Sequence, residues 1–179
     1  DVIEQINRKG SLKGEITVVL SKSDQKEIND ISSIGFLCTA NTCRSFMAHY
    51  YAVKKFYENG IKISVSSAGI LAGDLVSDNA VSILEKDGIK NIFHRPNQMD
   101  LNFIEKNDLI LVMTRKQREI IKNLFPQYEK KIFTLLGYAG LGGGDVYDPY
   151  GKNYFEYERV FEQIKKAIDT IIDNLSKST

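Results

Sequence analysis

One short segment of the sequence combines the residue types needed to bind and attack a phosphate group. Five residues separate Cys38 from Arg44, and Ser45 follows directly. The apolar run over residues 33–37 predicts a buried strand that ends at this segment, and a helix is predicted to begin at Ser45. A loop in that position directs backbone N–H groups and the positive helix end toward an anion, and Arg44 adds a guanidinium that fits two phosphate oxygens. The segment therefore predicts a phosphate site with a thiol at its base.

Cys38 is the predicted nucleophile of this site. Helix N–H groups, Arg44 and the Ser45 hydroxyl would stabilise its thiolate, which is the reactive form of cysteine. Attack on a bound phosphoryl group would form a phosphocysteine, and water would hydrolyse that intermediate in a second step. The pattern Cys-x5-Arg alone arises by chance in about 7% of chains of this composition, so the prediction depends on the flanking strand and helix.

A Gly-rich loop over residues 137–151 supplies a candidate acid for the leaving group. Asp148 is preferred because Pro149 restricts its backbone to extended conformations. Tyr147 and Tyr150 are expected to wall a pocket and partly desolvate the Asp148 carboxyl, as a general acid would require. The sequence Asp-Pro-Tyr-Gly is equally compatible with a plain turn, so the residues alone leave both interpretations open.

The elements that must position these residues alternate between strand and helix. Strands are predicted at 33–37, 61–66, 109–113 and 131–136, and helical segments at 45–59, 78–87, 101–106 and 116–125. The buried side of the helix over 45–59 is predicted to hold Met47, Tyr50, Tyr51, Val53 and Phe56. An apolar stripe indicates a C-terminal helix, through Phe161, Ile164, Ile168, Ile171 and Leu175. The alternation predicts an α/β fold, a four-stranded parallel sheet with helices on both faces.

The composition indicates an ordinary globular chain. Its 179 residues fit one domain, with the catalytic unit at 34–179 and an N-terminal extension of unknown role at 1–33. A formal net charge of +1 gives no electrostatic reason to expect nucleic acid or an anionic membrane as a partner. No apolar run approaches the roughly 20 residues of a membrane helix. Two cysteines are too few for a secreted disulfide framework, which favours the cytoplasm, and no feature specifies an oligomeric state.

Taken together, the segment Cys38 to Ser45 and the sequence Asp148-Pro149-Tyr150 resemble the low-molecular-weight protein-tyrosine phosphatase family. The resemblance runs from about Ile34 to the C-terminus, and further segments agree in order and spacing at 65–69, 94–95, 108–114 and 133–135. It implies a four-stranded parallel sheet, no metal or other cofactor, and phosphorylated proteins as substrates. It also implies that Cys38 is the nucleophile, Arg44 the phosphate clamp, and Asp148 the general acid and then base.

The resemblance further implies roles for residues around the phosphate. Substrate contacts would come from the rest of the loop and one tyrosine: Thr39, Ala40, Asn41, Thr42, Cys43, Ser45 and Tyr150. Ser67 and His94 would support the loop by hydrogen bonds, together with Asn41. Cys43 would form a reversible disulfide with Cys38 that protects the thiolate from over-oxidation, and the alternative is that Cys43 only fills buried space.

Within the family the loop is more similar to the bacterial protein-arginine phosphatases than to the tyrosine-specific branch. Thr42 stands where tyrosine-specific members usually carry a bulkier aliphatic residue, and the segments 144–146 and 148–151 favour the same subgroup. A threonine hydroxyl over the phosphate suits a planar, charged guanidinium, whereas an aliphatic side chain favours a phenyl ring. Phosphoarginine is therefore preferred over phosphotyrosine as the predicted substrate.

Two positions depart from the family pattern. Ala40 stands where glycine is common, and Phe46 where proline is common. If position 40 needs a left-handed backbone, alanine costs about 1 to 2 kcal/mol there. Loss of proline removes a preset φ from the first helical turn. Both changes concern the rim of the site rather than a reacting group.

Three other functions compete with a phosphoarginine phosphatase. A phosphotyrosine-specific phosphatase would use the same chemistry. An arsenate reductase of this fold would need a further cysteine distant in sequence, and the chain has only two. A non-catalytic phosphate-binding module would not need both a nucleophile and a candidate acid.

Overall fold

Four parallel strands form a single sheet at the centre of the structure, a computed structural model that describes residues 30–177. Predictions for residues 1–29 lie outside this range. The sheet order is β2-β1-β3-β4, with β1 at Ser33–Cys38, β2 at Ser64–Gly69, β3 at Leu109–Val112 and β4 at Ile132–Thr134. The predicted four-stranded parallel α/β architecture is confirmed. Because β1 and β3 are the inner strands, their carboxyl ends lie at the middle of one sheet edge, where ligands of parallel sheets bind.

Helices cover both faces of this sheet. They are α1 at Arg44–Glu58, α2 at Asp78–Lys86, α3 at Leu101–Lys106, α4 at Arg115–Leu124, α5 at Leu135–Tyr138 and α6 at Tyr154–Lys177, with a 3-10 turn at Pro126–Lys131. Among residues 30–177, none of these helices combines the length and apolar character needed to cross a bilayer.

Alternate residues of the inner strands face two separate cores. Phe36 and Leu111 pack with α1, α2 and α6 on one face, whereas Leu37 and Ile110 pack with α3 and α4 on the other. Side chains that alternate in this way make both inner strands continuously apolar, as the sequence showed. The two cores fix β1 from both sides and so hold its last residue, Cys38, in place.

Two strands, β2 and β4, differ from their predicted ranges by more than one residue. β2 begins at Ser64 rather than residue 61, because the N–H of Ile61 still donates to the Phe56 carbonyl at the end of α1 (2.8 Å). β4 ends at Thr134, whose hydroxyl accepts from the Gly137 N–H (3.2 Å) and caps the short helix α5. Residues 137–138, which were predicted to begin the Gly-rich loop, therefore belong to α5.

The predicted buried faces of the two long helices are mostly correct. Val53 is the exception, since 47% of it is exposed. It lies two residues from Tyr51 and therefore about 200° around the helix from that buried side chain. The predicted stripe on α6 packs into the core through Phe161, Ile164, Ile168 and Ile171, with Leu175 partly buried against it.

Gly69, the last residue of β2, must remain glycine for the backbone of the phosphate loop to pass over it. A Cβ at this position would lie 2.7 Å from the Ala40 carbonyl carbon and 3.0 Å from the Asn41 nitrogen. We expect Gly69→Ala to lower the free energy of unfolding by about 1 to 3 kcal/mol in urea titrations, because backbone atoms have to move. The matched control is Gly143→Ala, since a Cβ there meets no atom within 4 Å. Equal stability of the two variants would contradict the close approach.

Candidate active site

The loop between Cys38 and Arg44 turns its carbonyl groups outward. These carbonyls accept hydrogen bonds from N–H groups of the segment 70–77 that wraps the outside of the loop: Cys38 from Ile70 (3.0 Å), Thr39 from Leu71 (2.9 Å), Ala40 from Gly73 (2.9 Å) and Thr42 from Ser77 (3.0 Å). The N–H groups are left on the inner side, where that of Asn41 donates to Cys38 Sγ (3.3 Å). Inward N–H groups at a helix start form an anion-binding concavity.

Asn41 fixes the conformation of this loop. Its φ is 58° and its side chain is fully buried. The amide Nδ2 donates to Ser45 Oγ (2.9 Å) and Ser67 Oγ (3.0 Å), while Oδ1 accepts from the His94 ring (3.0 Å) and from the Asn97 N–H (2.9 Å). The structure thus brings together Asn41, Ser67 and His94, the three residues to which the resemblance assigns loop support.

The backbone strain anticipated at Ala40 is absent. Asn41, not Ala40, is the loop residue with a left-handed backbone. Asparagine visits this conformation more readily than alanine because its short polar side chain can form local hydrogen bonds. The replacement of glycine by Ala40 therefore carries no penalty of this kind.

The Cys38 thiol lies buried at the base of the loop with a directed hydroxyl beside it. Its Sγ is 3.0 Å from Ser45 Oγ. Because Ser45 accepts a hydrogen bond from Asn41, its own proton is free to point at the sulfur, with the Ala68 carbonyl more distant at 3.4 Å. This arrangement stabilises negative charge on Cys38.

Arg44 is a buried cation whose N–H groups are only partly used in hydrogen bonds. Its Nη2 donates to Asp148 Oδ2 (2.8 Å) and its Nη1 to the Val146 carbonyl (3.3 Å). The Nε atom is buried without a hydrogen-bond partner among the described residues. A buried donor without a partner costs about 1 to 3 kcal/mol. The guanidinium therefore favours an anion that would satisfy it.

Two anchors hold the loop that carries Asp148. The Val146 N–H donates to the Met113 carbonyl at the end of β3 (2.9 Å). The Asp145 carboxylate accepts from the Arg115 N–H (2.9 Å) and from its side chain (3.3 Å) at the start of α4. The anchors place Asp148 over Arg44, although more than a hundred residues separate the two.

A pocket of about 200 Å³ opens above the nucleophile. It is lined by Cys38, Thr39, Ala40, Thr42, Cys43, Arg44, Asp148 and Tyr150. Of the predicted substrate contacts, Asn41 and Ser45 lie beneath this lining and are buried. Among residues 30–177, no group of three histidine, cysteine or acidic side chains could hold a metal ion.

The expected desolvation of Asp148 by two tyrosines is wrong. The Asp148 side chain is 52% exposed, and Tyr147 faces a separate groove along α6. Tyr150 lines the pocket but is 75% exposed. The two tyrosines therefore line different pockets and do not together enclose the carboxyl.

Comparison with known proteins decides the family of the chain. Residues 33–179 match the family described as low molecular weight phosphotyrosine protein phosphatase. The chain belongs to this family. It is accordingly a phosphoprotein phosphatase, and the resemblance read from the sequence is confirmed.

Three relatives illustrate how this phosphatase compares with others. A protein-arginine-phosphatase of Bacillus subtilis is 31% identical over 145 residues, which cover 79% of this chain and 95% of the relative. A structure of the YwlE arginine phosphatase with a phosphorylated active-site serine has a TM-score of 0.78 at 31% identity and covers 81% and 96% of the two chains. A low molecular weight protein tyrosine phosphatase from T. tengcongensis has a TM-score of 0.75 at 34% identity, with coverage of 79% and 98%.

Cys43 occupies a different environment from Cys38 in this phosphatase. Its Sγ is 3.4 Å from the hydroxyl of Tyr157 on α6, and both cysteines are free thiols. Burial raises the pKa of the Cys43 thiol, so it stays protonated at neutral pH. Burial, with the bond to Cys43, likewise raises the pKa of Tyr157 to about 12. The Cys38–Cys43 disulfide stays a prediction.

Sequence reasoning missed His49, which supports the loop from α1. Its Nδ1 is 3.0 Å from Ser67 Oγ, and since Ser67 already accepts from Asn41, its proton goes to a neutral His49 ring. Burial and the nearby His94 lower the pKa of His49 to about 4, and burial lowers the pKa of His94 as well. The available signal was spacing, because His49 follows Ser45 by one helical turn.

The lowered pKa values of these two histidines predict that the protein loses stability in acid. Between pH 6.5 and about 4 the unfolded chain binds a proton at His49 that the native protein does not bind, so the free energy of unfolding falls as pH falls. The His49 contribution is up to about 3 kcal/mol. We expect His49→Gln to lose less stability than the wild type over this interval in urea titrations at a series of pH values. Parallel pH profiles for the two proteins would contradict the assignment.

Proposed function

We propose that this phosphatase hydrolyses phosphoarginine on proteins through a phosphocysteine intermediate. The observation that carries the proposal is one pocket in which a buried thiol, a buried guanidinium and a carboxylate meet: Cys38, Arg44 and Asp148. The protein-arginine-phosphatase relative supports this substrate. Overall identity does not separate the two substrate classes, since the tyrosine phosphatase relative is 34% identical.

The first step transfers the phosphoryl group to sulfur. Arg44 and the inward loop N–H groups hold the phosphate oxygens, and the Cys38 thiolate attacks phosphorus. The S–P bond forms as the P–N bond to the substrate guanidine breaks, and Asp148 gives its proton to the departing nitrogen. Phosphate oxygens would compete with Asp148 for the Arg44 guanidinium, which frees the carboxyl to face the leaving group.

The second step returns the enzyme to its starting state. Water attacks phosphorus while the Asp148 carboxylate accepts a proton from it. The S–P bond breaks, inorganic phosphate is released, and the electron pair returns to Cys38 as a thiolate. The Ser45 hydroxyl, 3.0 Å from the sulfur, stabilises that leaving thiolate. A non-catalytic phosphate-binding module would need neither a nucleophile nor a general acid, so it is the weaker alternative.

Thr42 supports phosphoarginine over phosphotyrosine. It lines the pocket, and its methyl group packs so closely against Gly73 that a Cβ there would lie 2.7 Å away. Its hydroxyl and the half-exposed Asp148 carboxylate offer polar and negative groups to a charged, planar guanidinium. Tyr150 at the pocket mouth favours the alternative substrate, because its exposed ring can pack on the phenyl ring of phosphotyrosine.

The substrate class is tested with phosphoarginine and phosphotyrosine proteins under identical conditions. We expect the wild type to prefer phosphoarginine, and Thr42→Ile to lower the ratio of kcat/KM values for the two substrates at least about tenfold, because a methyl-rich side chain replaces the hydroxyl. Thr42→Ser is the matched control and should keep the ratio, while Cys38→Ser should lose turnover of both substrates. An unchanged ratio in Thr42→Ile would remove the role assigned to this residue.

The general acid is tested by Asp148→Asn. We expect this change to slow phosphoarginine hydrolysis by about 10² to 10³, within the range for positioned acids and bases. The loss on p-nitrophenyl phosphate should be smaller, because its leaving group needs little protonation. Asp145→Asn serves as the control within the same loop and should lose far less, because its amide oxygen can still accept from the Arg115 N–H and keep the loop anchored. A rate within a factor of three of wild type in Asp148→Asn would place the acid elsewhere.

The remaining assignments follow from this proposal. We assign residues 34–179 to the phosphatase domain and residues 1–33 to the N-terminal extension. Two free thiols at the site suit a reducing compartment, so the cytoplasm stays our prediction.

A further inference from the structure

Gln117 is a buried polar residue that neither catalytic step uses. It lies in the first turn of α4, and its side chain joins three parts of the structure. Its Oε1 accepts from the N–H groups of Met113 (3.0 Å) and Thr114 (3.1 Å) at the end of β3. Its Nε2 donates to Thr39 Oγ1 in the phosphate loop (3.1 Å). The contact with Thr39 reaches the pocket itself.

The direction of this hydrogen bond is fixed by the backbone. Two N–H groups can only donate, so the atom that faces them must be the amide oxygen and the NH₂ group must face Thr39. Thr39 Oγ1 therefore accepts from Gln117, and its own hydrogen must point elsewhere. Among residues 30–177, the Thr39 hydroxyl has no other hydrogen bond.

The place where that hydrogen can point is the pocket. Thr39 follows Cys38 directly, its side chain is exposed, and it lines the pocket with Arg44. We propose that Gln117 is a positioning residue that acts through Thr39, holding this hydroxyl as a hydrogen-bond donor to the phosphoryl group bound over Cys38. The inference rests on the proposed function, because that function makes the occupant of the pocket a phosphoryl group.

Helix capping alone does not account for Gln117. The Thr114 hydroxyl accepts from the Gln117 N–H (3.1 Å), and the two residues form a capping box at the start of α4. Glutamate serves that box as well as glutamine does. Only the contact with Thr39 needs an NH₂ group, so Gln117→Glu keeps the cap and reverses this one hydrogen bond.

The test measures the dissociation constant of inorganic phosphate by calorimetry in four proteins: wild type, Gln117→Glu, Thr39→Val and the double variant. We expect Thr39→Val to weaken phosphate binding about tenfold, the effect of losing one hydrogen bond to a charged group. Gln117→Glu should weaken phosphate binding by a similar factor, because the new carboxylate accepts the Thr39 hydrogen. That hydrogen can then no longer be donated to the phosphate. In the Thr39→Val protein, Gln117→Glu should raise the dissociation constant of phosphate by less than about threefold more. This remaining effect would come only from the added negative charge.

Two further measurements separate positioning from structure. The thermal midpoint of Gln117→Glu should match the wild type, since the capping box is intact. Thr39→Ser should bind phosphate within about twofold of wild type, because it keeps the hydroxyl. If Gln117→Glu does not fold, the contrast between Thr39→Ser and Thr39→Val still decides whether the hydroxyl binds the anion.

The inference would be overturned if Gln117→Glu weakened phosphate binding by the same factor in both backgrounds, or if Thr39→Val bound phosphate as the wild type does. Failure of the proposed function has a different signature. A wild type that binds phosphate with the predicted coupling, but hydrolyses neither phosphoarginine nor phosphotyrosine proteins, would contradict the catalytic proposal alone.

Discussion

The active-site loop depends on one buried amide, the side chain of Asn41. Its four hydrogen bonds reach β2, α1 and the segment 94–97, so one side chain satisfies partners from three directions. Its left-handed backbone turns the N–H groups of the loop inward, where an anion can meet them. The Asn41 amide also donates to the Ser45 hydroxyl oxygen, so the Ser45 O–H can donate its hydrogen to Cys38. Geometry and charge stabilisation at the sulfur therefore share a single origin.

The second constraint is the burial of Arg44, whose carboxylate partner Asp148 is itself half exposed. Moving a cation from water into the protein is costly unless a partner compensates its charge. Asp148 provides that partner in the free protein, and a phosphoryl group would replace it during turnover. In the proposed mechanism one carboxylate would thus serve in turn as counter-ion, acid and base. The chain needs no basic surface to attract its substrate, which agrees with a formal net charge of +1.

The sequence predicted the elements better than their ends, and the contacts within the loop better than those around it. Apolar runs and helical stripes identify the sheet and helices because burial imposes those patterns. The end of β4 was missed because Thr134 caps a four-residue helix, a local hydrogen bond that hydrophobic periodicity does not reveal. Cys38 and Arg44 were predicted together from residue type and spacing, whereas the residues alone left Asp148 open between a general acid and a plain turn. His49 and Gln117 were not predicted, because their roles depend on which way a partner hydroxyl points, and that is determined by tertiary contacts.

The C-terminal helix α6 contacts residues in the phosphate loop and in α1, so this part of the core forms only after α6 has been synthesised. Tyr157 on α6 meets Cys43 across 114 positions, and the Tyr51 hydroxyl donates to Asp169 across 118. Contacts of such sequence separation form late, because a long loop must close before they contribute. A chain still emerging from the ribosome therefore exposes its thiols before the partners that surround them exist. These thiols are therefore enclosed only after α6 has been synthesised and has packed against the residues that precede it.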